Sequence, residues 1–450
     1  MIASMMRTPH PPPDWATLFA EINPDPDLLL RAVRAGRESD DYLSWDRLRR
    51  HTPPAGLTAR QWWFGVKFSR RQQYRALPLR DAHGEPFVYA LPDAMLAGLD
   101  EVTRSTGGVL SAPELVVNPA TRDRFLINSF MEESITSSQL EGAATSRVVA
   151  REMLRSGRAP HTLGERMIVN NYRAMQFVRD HATMELTPAL ICELHEIVTR
   201  GTLHDPSEAG RMQLPGEERV GVWSVADDEL VHQPPPAELL PTRMAELCRF
   251  ANGDSGERWL HPALRAIVTH FMVGYDHYFA DGNGRTARLL FYWVALRNGL
   301  WLMEFVPISR LLKDAPAQYA RSYLDTEQDD NDLTYFALHQ LNVIQRAVCD
   351  FTDYLDRKTR QAHEARNLLS GLTLNHRQVS ILEGMLRGRT HRVTVRSHAT
   401  SHGITLATAR GDLRRLEEDG LLVSTREGRT DAWRPVAALA EALQDLSTSH

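Results

Sequence analysis

Twelve consecutive residues carry most of the chemistry in this sequence: His277-Tyr278-Phe279-Ala280-Asp281-Gly282-Asn283-Gly284-Arg285-Thr286-Ala287-Arg288. An apolar helical pattern leads into them, and Leu289-Leu290-Phe291 continues another. Asp281 is a good N-cap for the second helix, and Gly282 and Gly284 let the backbone approach a ligand closely. The unpaired N–H groups of a first helical turn, with the positive end of the helix dipole, form an anion site. Arg285 and Arg288 are three residues apart on one face, so both guanidinium groups reach the same anion. Asp281 at the mouth of a phosphate site suits Mg²⁺, a hard cation that joins carboxylate to phosphate oxygens. His277 is the residue type that takes a proton near neutral pH. Together these groups describe a polyphosphate-transfer site. The plainer alternative is a Gly-Asn-Gly turn with a capping aspartate and surface arginines. Each element alone fits it; the whole string argues against it.

The string resembles the signature of the Fic family, HxFx(D/E)GNGRxxR, and matches it at every defined position; many members carry Pro where this chain has Tyr278. The resemblance extends over roughly 120–320. It implies transfer of AMP from Mg-ATP to a Tyr, Thr or Ser hydroxyl of a target protein, with release of pyrophosphate. ATP is then the substrate and Mg²⁺ the cofactor. His277 is the catalytic base and Asp281 the metal ligand. Gly282, Asn283 and Gly284 hold the α- and β-phosphates, and Arg285 and Arg288 the β- and γ-phosphates. The 220–232 segment resembles the family's flap, which aligns a target segment by strand addition, and its Val220 and Val222 alternate as such a strand requires.

Ser137-Ser138-Gln139-Leu140-Glu141-Gly142 resembles the family's inhibitory motif, (S/T)xxxE(G/N). There the glutamate, here Glu141, pairs with the second arginine, here Arg288, and keeps the γ-phosphate from its productive place; a carboxylate and a phosphate compete for one bidentate partner. From the residues alone, Ser137 and Glu141 simply end a helix, with Gly142 as its C-cap. The adenine site is open: Tyr319 and Tyr323 are candidates, and equally candidates for the core.

The elements that position these residues read as mainly α: a Fic-type helical bundle with a β-hairpin flap, a small α+β N-terminal domain and a C-terminal winged helix. Residues 1–40 are polar and read as a partly ordered segment. A small domain follows over 41–115, with Trp62-Trp63 in its core and a hairpin turn at His83-Gly84-Glu85-Pro86. Helical periodicity dominates 120–335, broken only between Gly210 and Pro236, where two short strands flank an acidic Asp227-Asp228 turn. A connecting helix over 336–366 leads to a winged helix-turn-helix over 370–436 and a tail over 437–450.

The 450 residues carry 52 basic and 57 acidic side chains, a net charge of −5, which excludes wholesale polycationic binding to nucleic acid. Charge is nevertheless uneven. Residues 376–434 hold eleven arginines and seven acids, a local balance of +4 that leaves −9 for the rest. Helices over His376–Leu386, Val395–His402 and Thr405–Asp419, with a wing around Glu427-Gly428, would offer Thr405, Thr408, Arg410 and Arg414 to a major groove and Arg426 and Arg429 to phosphates. Glu417-Glu418-Asp419 oppose that and favour protein docking; both readings stand. A DNA-binding regulator whose Fic core only senses nucleotide is the second reading of the whole chain. Three scattered cysteines exclude a disulfide framework, and with neither a signal peptide nor about 18 consecutive apolar residues the expected location is cytoplasmic, without membrane. Self-modification and a homodimer are compatible with the sequence and not required by it.

Overall fold

The computed structural model describes residues 8–448 except 39–40, 108–113, 225–228, 257–258, 371, 387, 389 and 428–429. The chain divides into two compact units, Met1–Phe351 and Thr352–His450, and the division falls inside one 37-residue helix, Thr334–Ser370.

Within the segment read as partly ordered, 1–40, the described residues form two helices. Asp14 accepts the N–H of Thr17 and Asp25 that of Leu28, with Pro26 in the first helical position, so both Trp15–Ile22 and Pro26–Arg37 are properly started helices. Each is only two or three turns long, too short for an apolar periodicity to repeat, which hid them. Their buried apolar residues, Leu18, Ile22 and Ala32, share a cluster with Leu48, Trp63 and Phe64, and Trp15, Leu28, Leu29 and Val33 pack against it. The Pro26–Arg37 and Ala59–Arg71 helices cross at glycines: a Cβ on Gly65 would lie 1.8 Å from the Ala32 carbonyl oxygen. Trp63 is fully buried, as expected of a core residue.

Strands Arg75–Arg80 and Pro86–Tyr89 pair antiparallel about the expected turn, where Asp81 accepts the N–H groups of His83 and Glu85. This hairpin is joined to the helical block. Val88 N–H donates to the Asn331 carbonyl at 3.0 Å, Leu333 N–H to the Val88 carbonyl at 2.8 Å, and buried Lys67 pairs with Asp329 at 2.6 Å. The segment read as a separate domain over 41–115 therefore belongs to the same unit as 120–335.

In the helical block, Pro262–Asp276 and Asn283–Arg297 pack along one another and are buried on nearly every side. Most of their buried side chains are apolar, and the polar ones among them, such as His270, Arg285 and Arg288, are buried with them. Residues 277–282 join the two helices. Around this pair lie Pro119–Leu140, Leu163–His181, Pro188–Thr199 and Pro316–Gln328. The flap strands are Val222–Ser224 and Glu229–His232, antiparallel with Val222 opposite His232. Val220 precedes the first strand, and Asp227 and Asp228 lie outside the described residues.

The second unit contains helices His376–Leu386, Val395–His402 and Leu406–Glu418 and an antiparallel sheet in which Thr430–Pro435 lies between Val393–Thr394 and Leu422–Glu427. Its core joins Leu382, Leu413, Leu416, Leu422 and Trp433. The expected tail over 437–450 contains a helix, Leu439–Thr448, because Leu439 and Leu443, four apart, reach that core.

Candidate active site

The Pro262–Asp276 helix stops at His277, which takes the left-handed conformation, φ 48° and ψ 55°. A non-glycine residue there is strained and persists only where its surroundings fix it. Arg219 does so, donating to the carbonyls of Asp276 and His277 at 2.7 and 3.0 Å. His277 Nδ1 lies 3.1 Å from the Gly274 carbonyl, which can only accept, so the ring proton sits on Nδ1. Nε2 keeps its lone pair. Burial pushes the imidazole pKa down to about 4, with Gly274 pulling weakly the other way, so the ring is neutral at pH 7. His277 borders a cavity of about 400 Å³ that is also lined by Glu141, the 280–284 loop, Val220–Trp223, Tyr319, Tyr323 and Glu327.

The loop is built by side chains turned onto its own backbone. Asn283 Oδ1 accepts from Phe279 N–H at 3.0 Å and its Nδ2 donates to the Phe279 carbonyl at 2.7 Å. Phe279 stacks on His195 with ring centroids 3.7 Å apart. His195 Nδ1 accepts the Gly210 N–H, which leaves Nε2 to donate to the Asp281 carbonyl at 2.8 Å. Burial holds this imidazole near a pKa of about 4. The N-cap of Asn283–Arg297 is Gly282, at φ 85°, and not Asp281 as expected. With no side chain capping the helix, its first-turn amides stay available to an anion. Asp281 Oδ1 instead accepts from Gly282 N–H at 2.6 Å.

The two motif arginines are fully buried and have different partners. Arg285 donates to the Val198 carbonyl at 3.2 Å, its Nη2 lies 3.6 Å from Asp281, and its Nε has no partner. Arg288 donates through Nε to Ser137 Oγ at 2.9 Å and through Nη2 to the Ser137 carbonyl and Glu141 Oε1, at 3.1 and 2.8 Å. Its Nη1 has no partner. Glu141 follows the last turn of Pro119–Leu140, and Gly142, at φ 96°, leads the chain away. A Cβ on Gly284 would stand 2.1 Å from Glu141 Oε1, so the carboxylate lies directly over the glycine of the anion loop.

Among the described residues no three His, Cys, Asp or Glu side chains group as metal ligands. Of the three carboxylates that line the cavity, Glu141 faces Arg288 and Glu327 faces His232, and Asp281, 63% exposed, is the one most open to solvent. That fits Mg²⁺, which binds through one or two carboxylates together with substrate phosphates and water.

Residues 185–295 match the model of the Fic/DOC family. This chain carries a Fic domain. It is 27% identical over 215 residues to the protein adenylyltransferase Fic of Nematostella vectensis, covering 48% of this chain and 47% of that one. It is 24% identical over 280 residues to the protein adenylyltransferase fic-1 of Caenorhabditis briggsae, covering 61% and 50%. The chain thus spans about half the length of these curated relatives. A crystal structure of a Fic family protein from Desulfovibrio desulfuricans G20 superposes with a TM-score of 0.51 at 21% identity, covering 76% of this chain and 96% of that one, which shows the shared fold.

Within the Fic domain, the Tyr278 position is structural. Its hydroxyl donates to Asp276 at 2.5 Å, and Asp276 pairs with Arg243, which reaches the carbonyls of Arg80 and Asp81 in the N-terminal hairpin. Sequence reasoning missed His195, Arg219 and Arg243. All act across long chain separations onto backbone or buried carboxylate, and no local pattern marks them. Tyr319 and Tyr323 turn out to be both core and cavity wall: Tyr319 hydroxyl lies 2.7 Å from His270 Nε2, and Tyr323 stacks on Phe271. Val220 and Val222 both line the cavity.

In the second unit Thr405 caps its helix by accepting Thr408 N–H, and Arg410, Arg414 and Arg426 are exposed. Arg429 lies outside the described residues. Two of the three acids expected to repel a phosphate backbone are engaged: Glu417 accepts from Ser424 N–H and Trp433 Nε1, and Asp419 pairs with Arg415.

Proposed function

We propose that this protein is an autoinhibited adenylyltransferase that moves AMP from Mg-ATP to a Tyr, Thr or Ser hydroxyl of a protein target. The observation that carries the proposal is that His277, the uncapped helix start at Gly282–Gly284 and Glu141 line one cavity, with Glu141 bonded to the buried Arg288. His277 Nε2 takes the proton of the target hydroxyl, whose oxygen attacks the α-phosphorus. The bond from that phosphorus to the bridging oxygen breaks, and pyrophosphate leaves with the electron pair. The loop amides and Arg285 stabilise the charge that builds on the phosphates. Asp281 would hold Mg²⁺, which when bound neutralises phosphate charge. Asn283 acts by fixing the loop, through its two bonds to Phe279. The flap strand at Val222 offers its backbone edge to an extended target segment.

In the inhibited state Glu141 takes the Arg288 guanidinium and covers Gly284, so the γ-phosphate has no seat. Incubating the protein and its Glu141→Gly variant with labelled ATP tests the reading, with intact-mass measurement of the AMP increment. Neither protein gaining AMP, on itself or in a lysate, would reject it.

For the second unit we propose a winged helix that meets duplex DNA through the Leu406–Glu418 helix. The supporting observation is that Arg410 and Arg414 are exposed while Glu417 and Asp419 have partners within their own unit. Loss of salt-dependent duplex binding on removing both arginines is the test.

A further inference from the structure

His232 ends the second flap strand opposite Val222 and is nine-tenths buried, with 7% of its side chain exposed. Both ring nitrogens have partners. Nε2 lies 2.7 Å from the Tyr275 carbonyl, two residues before His277, and Nδ1 lies 2.7 Å from Glu327 Oε2 on the Pro316–Gln328 helix. A carbonyl and an ionised carboxylate can only accept, so both bonds exist together only when both nitrogens carry a proton. We propose that His232, as an imidazolium, is the positioning residue that clamps the flap to the base-bearing helix and to Glu327, and that its deprotonation releases the flap.

Three elements meet at this one side chain. The Val222 strand would receive the target, the Pro262–Asp276 helix carries His277 at its end, and the Pro316–Gln328 helix presents Tyr319 and Tyr323 to the same cavity. Losing the Nδ1 proton turns the Glu327 contact from an ion pair into two facing acceptors, and the flap loses its tie to that helix. The strands themselves are short: they pair over only three or four residues each, with a register irregularity after Val222, and Trp223 and Leu230 are exposed, while just outside them Arg219 ties the Pro235 carbonyl to those of Asp276 and His277.

The charged and titratable groups around His232 are Glu327 from one helix, Tyr275, Asp276 and His277 from the other, and Arg243 on the far side of Asp276. Burial opposes the imidazolium, but the Glu327 charge, the bonds to Glu327 and to the Tyr275 carbonyl, and Asp276 outweigh it and raise the pKa above the ordinary imidazole value. A raised value means that the clamp is complete below the ordinary imidazole pKa, persists somewhat above it, and is lost as pH rises through the shifted value.

The role in target alignment rests on the adenylyltransferase reading; the clamp itself does not. The experiment follows hydrogen exchange of the Val222–Ser224 and Glu229–His232 amides in the full-length protein from pH 6 to 9, corrected for intrinsic rates. The parent should lose flap protection in one alkaline step. Glu327→Gln removes the counter-charge while keeping an acceptor, and its step should fall by roughly 1–3 pH units, the range for loss of an adjacent opposite charge. His232→Asn should leave the flap unprotected with no step. In a Glu141→Gly background the alkaline limb of AMP incorporation should shift with the same variants. Identical exchange profiles in the parent, Glu327→Gln and His232→Asn overturn the clamp. A flap that titrates as stated in a protein that never transfers AMP overturns only the adenylyltransferase reading.

Discussion

Replacing Glu141 with glycine removes one carboxylate from over the anion loop and should release transfer activity by an amount the geometry bounds. Arg288 keeps its two bonds to Ser137 and loses only the 2.8 Å contact with Glu141. Because the Glu141 side chain is 17% exposed and faces the cavity, water replaces it in part, and the full penalty of about 3–5 kcal/mol for orphaning a buried charge does not apply. A bond to a charged group, about 1.5–3 kcal/mol, is the better measure of what the γ-phosphate must displace in the parent and need not displace in the variant. At about 1.4 kcal/mol per tenfold, AMP incorporation should rise roughly 10- to 150-fold. The assay is labelled-ATP incorporation into the protein itself at saturating Mg²⁺, with the adducted residues mapped by mass spectrometry. Without nucleotide the variant should melt below the parent, and Mg-ATP should raise its melting temperature more than the parent's. Arg288→Ala should not reproduce the gain, because the restraint and the phosphate anchor go together. A folded Glu141→Gly protein with the parent's rate, or a Glu141→Gly/Arg288→Ala protein as active as Glu141→Gly, refutes the competition argument.

In the Glu141→Gly background, His277→Ala should keep nucleotide binding within a few-fold while cutting AMP transfer by roughly 10²–10⁴, measured by calorimetry and incorporation; Asp281→Ala should lose Mg²⁺ dependence and activity together. His195, His277 and His339 are each held by burial at a pKa of about 4, so the unfolded chain binds more protons than the folded one between pH 6.5 and 4. Stability should therefore fall with falling pH through that window, on the order of 1 kcal/mol per pH unit for each histidine, and melts at stepped pH check it. Gly65→Ala should cost about 1–3 kcal/mol or more, since its Cβ meets backbone 1.8 Å away, whereas Gly411→Ala, with nothing within 4 Å, should stabilise the second unit by about 0.5–1 kcal/mol; thermal melts separate the two. Replacing Arg410 and Arg414 with alanine in the full chain should weaken duplex binding and lower its salt slope by about 2, read by titration at several salt concentrations.

What the sequence displays and what it hides divide along chain separation. His277, the Gly282–Gly284 loop and the two arginines sit within twelve residues, and the order of residue types is enough to propose a phosphate site from them. The Glu141–Arg288 contact, which joins residues 147 apart, was expected only from the family resemblance, since the residues by themselves read as a helix end. Helix existence was clear over Leu163–His181 or Pro262–Asp276, where apolar periodicity runs through several turns. It failed over Trp15–Arg37, where two helices of eight and twelve residues are too short for the period to repeat and depend on the Ala59–Arg71 helix to bury their apolar side chains.

The residues that hold the site in shape were not legible, for a physical reason. His277 is of a residue type that can take a proton, and in the fold it has a left-handed backbone and a ring whose Nδ1 faces the Gly274 carbonyl, which leaves Nε2 free. That conformation depends on Arg219 at the Asp276 and His277 carbonyls and on Asp276 itself, which is held by Tyr278 and Arg243. Arg243 in turn spans to the Arg80 and Asp81 carbonyls, so a hairpin nearly two hundred residues upstream helps fix the end of the helix that leads into His277. Each link is an ordinary arginine, tyrosine or carbonyl, and its identity in the sequence says nothing until the fold brings the partners together. Tyr278 is the instructive case. As a departure from the family pattern it looked incidental, yet it closes a buried carboxylate that would otherwise keep an unpaired oxygen, at a cost of about 1–3 kcal/mol. Tyr278→Phe should therefore lower stability and transfer together while leaving His277 in place, and a variant with the parent's melt and rate would show that Arg243 alone satisfies Asp276.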